Sequence, residues 1–236
     1  MYKTNIFQVG AYMSNMNLKK VKVWDLPTRI FHWVLGVDVI CLAVSGLIGG
    51  NAMVWHFRFG NVVIALLLFR IIWGVVGGRW SRFSAFIYAP QTVINYLKGK
   101  VKPEHTIGHS PIGAISVFAM LAILLAQAGS GLISDDDIAF SGYLTRFVSN
   151  ATVQLATNYH RNIGKWMLLV VLLLHIAAIL FYIWRKKNLV KAMVHGHKEL
   201  HESVPGSRDN ASSRVAAIVI FSLCAAFVAW LNSLSV

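Results

Sequence analysis

Five long runs of apolar residues divide the chain, and short polar or basic segments separate them. The runs cover about residues 27–49, 57–77, 112–133, 163–184 and 215–234. Each run approaches the roughly 20 residues that an α-helix needs to cross the hydrocarbon core of a bilayer. The pattern therefore predicts an all-α integral membrane protein, with a four-helix transmembrane bundle followed by a fifth, C-terminal transmembrane helix.

The composition supports a single membrane domain. The chain has 236 residues, of which 56% are hydrophobic and only 13% are charged, whereas about 25% of a soluble domain is charged. No long polar stretch remains for a second folded domain. We expect a disordered N-terminal tail at 1–17, a membrane domain at 18–198, a cytoplasmic linker at 199–214 and a C-terminal transmembrane helix at 215–236.

The positions of the basic residues explain the net charge of +13. Seventeen Lys and Arg residues lie on one side of the predicted helices, and only Arg58, Arg146, Arg161 and Lys165 lie on the other. This asymmetry follows the positive-inside rule and predicts a cytoplasmic N-terminus and a periplasmic C-terminus. The charge is thus a topology signal with some attraction to anionic lipid, and it does not indicate nucleic-acid binding.

The two cysteines exclude one kind of cofactor attachment. Cys41 and Cys224 each lie within an apolar run, and the sequence contains no Cys-x-x-Cys-His motif. Covalent c-type haem is therefore excluded. Two isolated cysteines also make neither a zinc site, which needs clustered ligands, nor an expected disulfide.

Four histidines, His32, His56, His160 and His175, lie at the ends of the apolar runs or inside them. An imidazole is costly in hydrocarbon unless another group satisfies it. His160 and His175 are separated by about 22 Å of helical rise and about 60° around the helix axis, so both can face one bundle interior. Depth matching pairs His32 with His175 on the inner side and His56 with His160 on the outer side. Two such pairs suit two stacked haems with two axial histidines each, as in a membrane electron carrier.

Gly46 is a candidate contact of the outer haem. It follows His32 by 14 residues, close to the same face of the first helix but at the outer depth. A residue without Cβ would let a flat macrocycle approach there. Close packing of two helices through small residues is the equally weighted alternative.

Arg70 is a candidate contact of the inner haem, 14 residues after His56. A buried guanidinium needs an anionic partner. A haem propionate is the first choice and Asp38 the second, while snorkelling of Arg70 to the interface is a third reading.

His109 flanks the start of the third predicted helix on the inner side. It can be a plain interfacial residue. The sharper interpretation is that it accepts a proton from quinol, since histidine titrates near neutral pH.

Several motifs resemble bacterial di-haem cytochromes b, the group of the cytochrome b561-type proteins and the b-type cytochrome subunits of nickel–iron hydrogenases. The similar segments are VWDLPTRIFHW at 23–33, His56 with Gly60, LFRIIWG at 68–74, GHSPIGA at 108–114, and His160 with His175. Ser110 stands where an asparagine is expected. The resemblance covers about residues 22–198, so the linker and the fifth helix are less secured by it.

The resemblance implies two haems b on His32, His56, His160 and His175, in the cytoplasmic membrane of a bacterium. It also implies electron exchange between the quinone pool and a redox partner, a c-type cytochrome or a hydrogenase-like enzyme. Quinol oxidation would be the chain's only catalytic step. Two other functions remain open. One is a proton or ion transporter that uses intramembrane histidine, arginine and aspartate, and the other is a haem-free membrane anchor for a peripheral enzyme.

Overall fold

The computed structural model describes residues 19–200 and 204–234, so the predicted tail at 1–17 lies outside the described residues. Most of the described chain is helical. Its helices are α1 (Leu26–Ile48), α2 (Met53–Val76), α3 (Pro90–Leu97), α4 (Pro111–Leu132), α5 (Asn150–Asn158), α6 (Lys165–Trp184), α7 (Leu189–His195) and α8 (Ala211–Ser233). Its strands are β1 (Lys19–Lys22) and β2 (His197–Leu200). The all-α membrane fold predicted from the apolar runs is confirmed.

Within the described residues, five helical rods are long and apolar enough to cross a bilayer: α1, α2, α4, the rod Asn150–Trp184 and α8. Their outward surfaces carry exposed Ile, Val, Leu and Phe side chains. α6, which carries His175, has no fully buried residue at all. Such surfaces would be unfavourable in water, and lipid contact explains them.

Helix α2 lies at the centre of the bundle, because it packs against α1, α4 and α8, while α4 packs in turn against α6. One apolar cluster joins α1, α2 and α8 through Phe31, Phe69 and Cys224. A second cluster, at mid-depth, joins α1, α2 and α4 through residues such as Val39 and Leu124. The second cluster separates the two ends of the bundle, where the polar side chains described below lie.

One end of the bundle is closed by a small polar cap, and we call this end the basic face because most lysines lie there. Strands β1 and β2 pair antiparallel, with Lys19 opposite Leu200 and Lys22 opposite His197. Residues 204–209 then fold over β1, where the Ser207 amide donates to the Lys22 carbonyl at 2.7 Å. The cap thus joins the chain before α1 to the chain before α8.

Asp25 connects this cap to the first two membrane helices. It is fully buried and is the N-cap of α1, with the Thr28 amide donating to Oδ1 at 2.8 Å. Trp73 Nε1 also donates to Oδ1, and the Gly78 amide and Ser81 Oγ donate to Oδ2. One carboxylate therefore fixes the start of α1 against the end of α2, with every contact charge-assisted.

The structure departs from the sequence prediction mainly in the fourth rod. The apolar run predicts a start at 163, but the helix begins at Asn150, where Ser149 Oγ accepts from the Thr152 amide at 3.3 Å. Residues 150–158 are largely polar, so hydropathy does not detect them. The strand pair was not predicted, and the boundary expected at 198 falls inside β2.

Candidate functional site: two histidine pairs

The four histidines meet in two pairs at opposite ends of the bundle. In the basic-face pair, His32 of α1 and His175 of α6 have ring centroids 6.3 Å apart. In the opposite-face pair, His56 of α2 and His160 have ring centroids 6.1 Å apart. All four side chains are half-buried. The structure therefore brings together the residues that depth matching pairs.

The spacing within each pair fits one metal atom held between two imidazoles. Metal–nitrogen bonds of about 2 Å on either side would place the ring centroids about 6 Å apart. Both pairs thus fit the axial ligation that a haem iron requires.

The imidazoles of the opposite-face pair are oriented by backbone carbonyls. His56 Nδ1 lies 3.0 Å from the Leu42 carbonyl oxygen, and His160 Nδ1 lies 2.9 Å from that of Gln127. A carbonyl can only accept, so each Nδ1 carries the proton and each Nε2 has a free lone pair. Fixing the tautomer in this way is how proteins prepare an imidazole for a metal.

Glycines lie directly beside both rings of this pair. A Cβ on Gly46 would come within 3.2 Å of His56 Cε1, and a Cβ on Gly131 within 2.9 Å of His160 Cε1. Any larger residue at 131 would displace the ring. The predicted place of Gly46 at the opposite-face pair is therefore observed, and Gly131 is a second glycine of the same kind that the sequence reasoning missed.

A repeated sequence signal could have revealed Gly131. Helix α1 reads LAVSG at 42–46, and α4 reads QAGSG at 127–131. In both helices the serine lies 3.4 Å from the paired Nδ1, and the residue three before it supplies the carbonyl. The Ser-Gly pair is repeated at the same end of α1 and α4. It marks the two helices whose backbones orient His56 and His160.

His160 lies in an unusual stretch of backbone. Residues Tyr159–Gly164 form a π-helical segment between α5 and α6. A π turn holds one residue more than an α turn, is rare, and is found mostly at functional positions. It also changes the 60° offset that a straight helix would give between His160 and His175, which the sequence analysis could not include.

The basic-face pair has a different environment. His32 Nδ1 is buried and has no hydrogen-bond partner among the described residues. The ring of His32 meets Trp33 edge to face at a centroid distance of 5.4 Å. Among the described residues, no backbone carbonyl accepts from His32 Nδ1 as the Leu42 carbonyl does from His56 Nδ1, so these two histidines are oriented by different means.

Arg70 is buried near the basic-face end and is only 3% exposed. It donates to the Ser81 carbonyl at 2.9 Å, and its guanidinium lies 4.7 Å from the centroid of the Phe83 ring. The carboxylate whose charge acts on it is Asp25. Asp38, the second predicted partner, forms no ion pair with Arg70, and its Oδ2 has no hydrogen-bond partner among the described residues. The guanidinium lies inside the protein and is not exposed at its surface.

His109 lies between two aromatic rings just before α4. Its ring centroid is 4.7 Å from that of Trp24 and 4.4 Å from that of Phe86, and its Nδ1 is buried without a partner within the described segments. Burial, together with the charges of Arg70 and Lys198, lowers the pKa of His109 to about 3. The ring is therefore neutral at physiological pH unless a negative charge forms beside it.

A multi-pass helical bundle with paired imidazoles at both ends is the architecture of a membrane cytochrome with haem held by histidine. The chain belongs to the prokaryotic cytochrome b561 family, whose sequence profile matches residues 23–196. It is thus a b-type cytochrome, and haem b is its cofactor. The matched range contains both histidine pairs.

Curated relatives cover most of the chain. One from Cupriavidus necator is 25% identical over 224 aligned positions, and the match covers 80% of this chain and 91% of the relative. One from Escherichia coli K12 is 24% identical over 214 aligned positions, and the match covers 75% of this chain and 89% of the relative. They are named "Probable Ni/Fe-hydrogenase B-type cytochrome subunit" and "Probable Ni/Fe-hydrogenase 1 B-type cytochrome subunit". No solved structure matches the chain.

Proposed function

We propose that this protein is a di-haem electron-transfer subunit that carries electrons across the membrane between the quinone pool and a redox enzyme. The carrying observation is that two histidine pairs share one spacing, 6.3 and 6.1 Å between ring centroids. His32 and His175 would hold one haem b, and His56 and His160 the other. Bound haem supplies a reversible one-electron couple on its iron.

Residues around the two histidine pairs would make room for the haem ligands and adjust the reduction potential of the haems. Gly46 and Gly131 leave room for the rings of His56 and His160, which a Cβ at either position would crowd. Arg70 would neutralise a haem carboxylate at the basic face, where the neighbouring Asp25 is already saturated by four donors. A positively charged group such as the Arg70 guanidinium, placed near a haem, favours the reduced state of the iron.

The names of the relatives support one class of partner. Their names attach them to nickel–iron hydrogenases, and we propose a hydrogenase-like enzyme, or a c-type cytochrome in its place, as the partner of this chain. The basic face would lie in the cytoplasm of a bacterium, by the positive-inside rule. The partner would then exchange electrons at the opposite-face pair, on the periplasmic side.

The test of this function is the haem content of the purified protein. Two haems b per chain with low-spin, bis-histidine absorption spectra are expected. His32→Ala or His175→Ala should leave one haem per chain, and so should His56→Ala or His160→Ala, with different remaining midpoint potentials in the two cases. Full haem content in any of these variants would contradict the ligand assignment. A protein without haem would instead favour a transporter or an anchor.

Quinol oxidation would take place near the basic-face pair, with His109 as the proton acceptor. Quinol releases protons as well as electrons, and the ring of His109 is held by Trp24 and Phe86 close to the start of α4. Burial lowers the pKa of His109 to about 3, so the near-neutral titration expected from the sequence does not hold, and the ring would act as a neutral, weakly basic proton acceptor.

The variant His109→Ala tests this site. We expect intact haem spectra and normal reduction by dithionite, with quinol-driven reduction slower by about 10²- to 10⁴-fold, the usual contribution of a general base. His105→Ala is the control, because it removes a buried histidine of the same segment. Normal quinol kinetics in His109→Ala would move the quinol site elsewhere.

A further inference from the structure

Helices α1 and α4 present the same pattern to the opposite-face pair but differ at one side chain. The carbonyl that orients His56 belongs to Leu42, and the carbonyl that orients His160 belongs to Gln127. In each helix the following serine hydroxyl donates to the same carbonyl, at 3.2 Å in α1 and 3.0 Å in α4. Only α4 therefore places a primary amide beside the ring that it orients.

The Gln127 amide reaches the backbone of His160 itself. Its Nε2 donates to the His160 carbonyl oxygen at 2.9 Å. This carbonyl lies in the π segment, where α-helical hydrogen bonds are interrupted and backbone groups need other partners. Gln127 thus contacts His160 at two points. Its carbonyl oxygen accepts from the His160 ring, and its side-chain amide donates to the His160 carbonyl.

The oxygen of the same amide makes no comparable contact among the described residues. Gln127 Oε1 is buried and has no hydrogen-bond partner in the described part of the chain. A buried acceptor without a partner costs free energy that an apolar side chain would avoid. Gly164 makes room for this oxygen, since a Cβ at 164 would come within 1.9 Å of it. The residues at positions 127 and 164 therefore both serve one hydrogen bond, from Gln127 Nε2 to the His160 carbonyl oxygen.

We propose that Gln127 is a positioning residue for the haem ligand His160, and that it keeps the π segment in place so that the two rings of the opposite-face pair stay perpendicular. The interplanar angle of this pair is 89°, whereas that of the basic-face pair is 54°. The inference rests on the proposed function, in which both pairs are axial ligands. Groups that orient a ligand tune the metal without touching it.

The experiment compares Gln127→Met with Leu42→Met in the purified, haem-loaded protein. Methionine keeps the length of glutamine but removes the donor, and position 42 is the equivalent site on α1. Perpendicular axial imidazoles give low-spin ferric haem an EPR signal with a larger highest g value than parallel imidazoles do. We expect Gln127→Met to lower the highest g value of the opposite-face haem and to leave the basic-face signal unchanged, while Leu42→Met changes neither.

The rate of haem transfer to apomyoglobin gives a second readout. Loss of a group that orients a ligand typically weakens metal binding by about 10- to 100-fold, and we expect the opposite-face haem of Gln127→Met to dissociate faster by a similar factor. An unchanged g value and an unchanged transfer rate in Gln127→Met would overturn the proposal. So would equal changes in Leu42→Met.

Gly164→Ala reaches the same hydrogen bond without changing Gln127. Its methyl group should push the amide off the His160 carbonyl and reproduce the lowered g value. In the double variant with Gln127→Met the two changes should be less than additive, because they remove one interaction. Full additivity would refute the shared cause. If the wild-type protein holds no second haem, the proposed function itself fails, and this outcome is visible before any variant is made.

Discussion

At the scale of single residues, Gly131 and Gly129 form a matched pair for testing the opposite-face site. A methyl group at 131 would lie 2.9 Å from His160 Cε1, whereas one at 129 would have nothing within 4 Å. Gly131→Ala should therefore weaken retention of the opposite-face haem about 10-fold, through displacement of its ligand. Gly129→Ala should keep both haems, and it should raise stability by up to about 1 kcal/mol because alanine is the better helix former.

Haem content after detergent exchange, measured for the two variants side by side, checks this prediction. Equal haem retention in Gly131→Ala and Gly129→Ala would show that the ring of His160 can move freely, contrary to its contacts with Gln127.

The residues that could be predicted from sequence are those whose position depends on one helix alone. The four histidines and Gly46 follow from depth and from the face of a single helix. Gly131 and Gln127 could not be found in this way, because their role depends on how α4 packs against the π segment. The partner of Arg70 was also out of reach, since Ser81 approaches it through a loop rather than along a helix.

At the scale of secondary-structure elements, the junction of α1 with α2 depends on Asp25. In Asp25→Asn the helix cap survives, because asparagine is also a good N-cap. One of its two acceptor oxygens, however, becomes an amide NH2 group that faces donors from the protein. An unsatisfied buried group costs about 1–3 kcal/mol, so we expect a lower melting temperature.

Circular dichroism of the variants in detergent measures this loss. Asp137→Asn is the control, because Asp137 is exposed and has a φ of 57°, a conformation that asparagine tolerates well. A melting temperature of Asp25→Asn equal to that of the control would mean that the junction is held by its apolar contacts instead.

The elements themselves were largely predictable, with two instructive exceptions. The apolar runs gave the membrane spans because lipid selects for continuous hydrophobicity. Residues 150–158 are polar and extend their helix by capping and hydrogen bonding, which hydropathy does not measure. Strand β1 was missed because its partner β2 lies far away along the chain, so no local pattern marks it.

At the scale of the whole molecule, the direction in which one transmembrane helix crosses the bilayer determines the direction of all the others. The starts of α1, α4 and α8 and the ends of α2 and α6 lie at the basic face, so a single measurement decides every crossing. We expect green fluorescent protein fused after residue 236 to be dark and alkaline phosphatase at the same place to be active, since the positive-inside rule puts the basic face in the cytoplasm. A fluorescent C-terminal fusion would reverse this orientation or remove α8 from the membrane.

The strand pair β1–β2 also borders the part of the chain that the family shares. β1 and β2 immediately flank the residues 23–196 that the family shares. Between them the chain crosses the bilayer an even number of times, so it leaves on the side where it entered. The antiparallel pairing of β1 with β2 then holds the entering and leaving segments side by side. The range that the family shares therefore keeps its orientation in the membrane whatever segment follows it, even though α8 packs against α1 and α2.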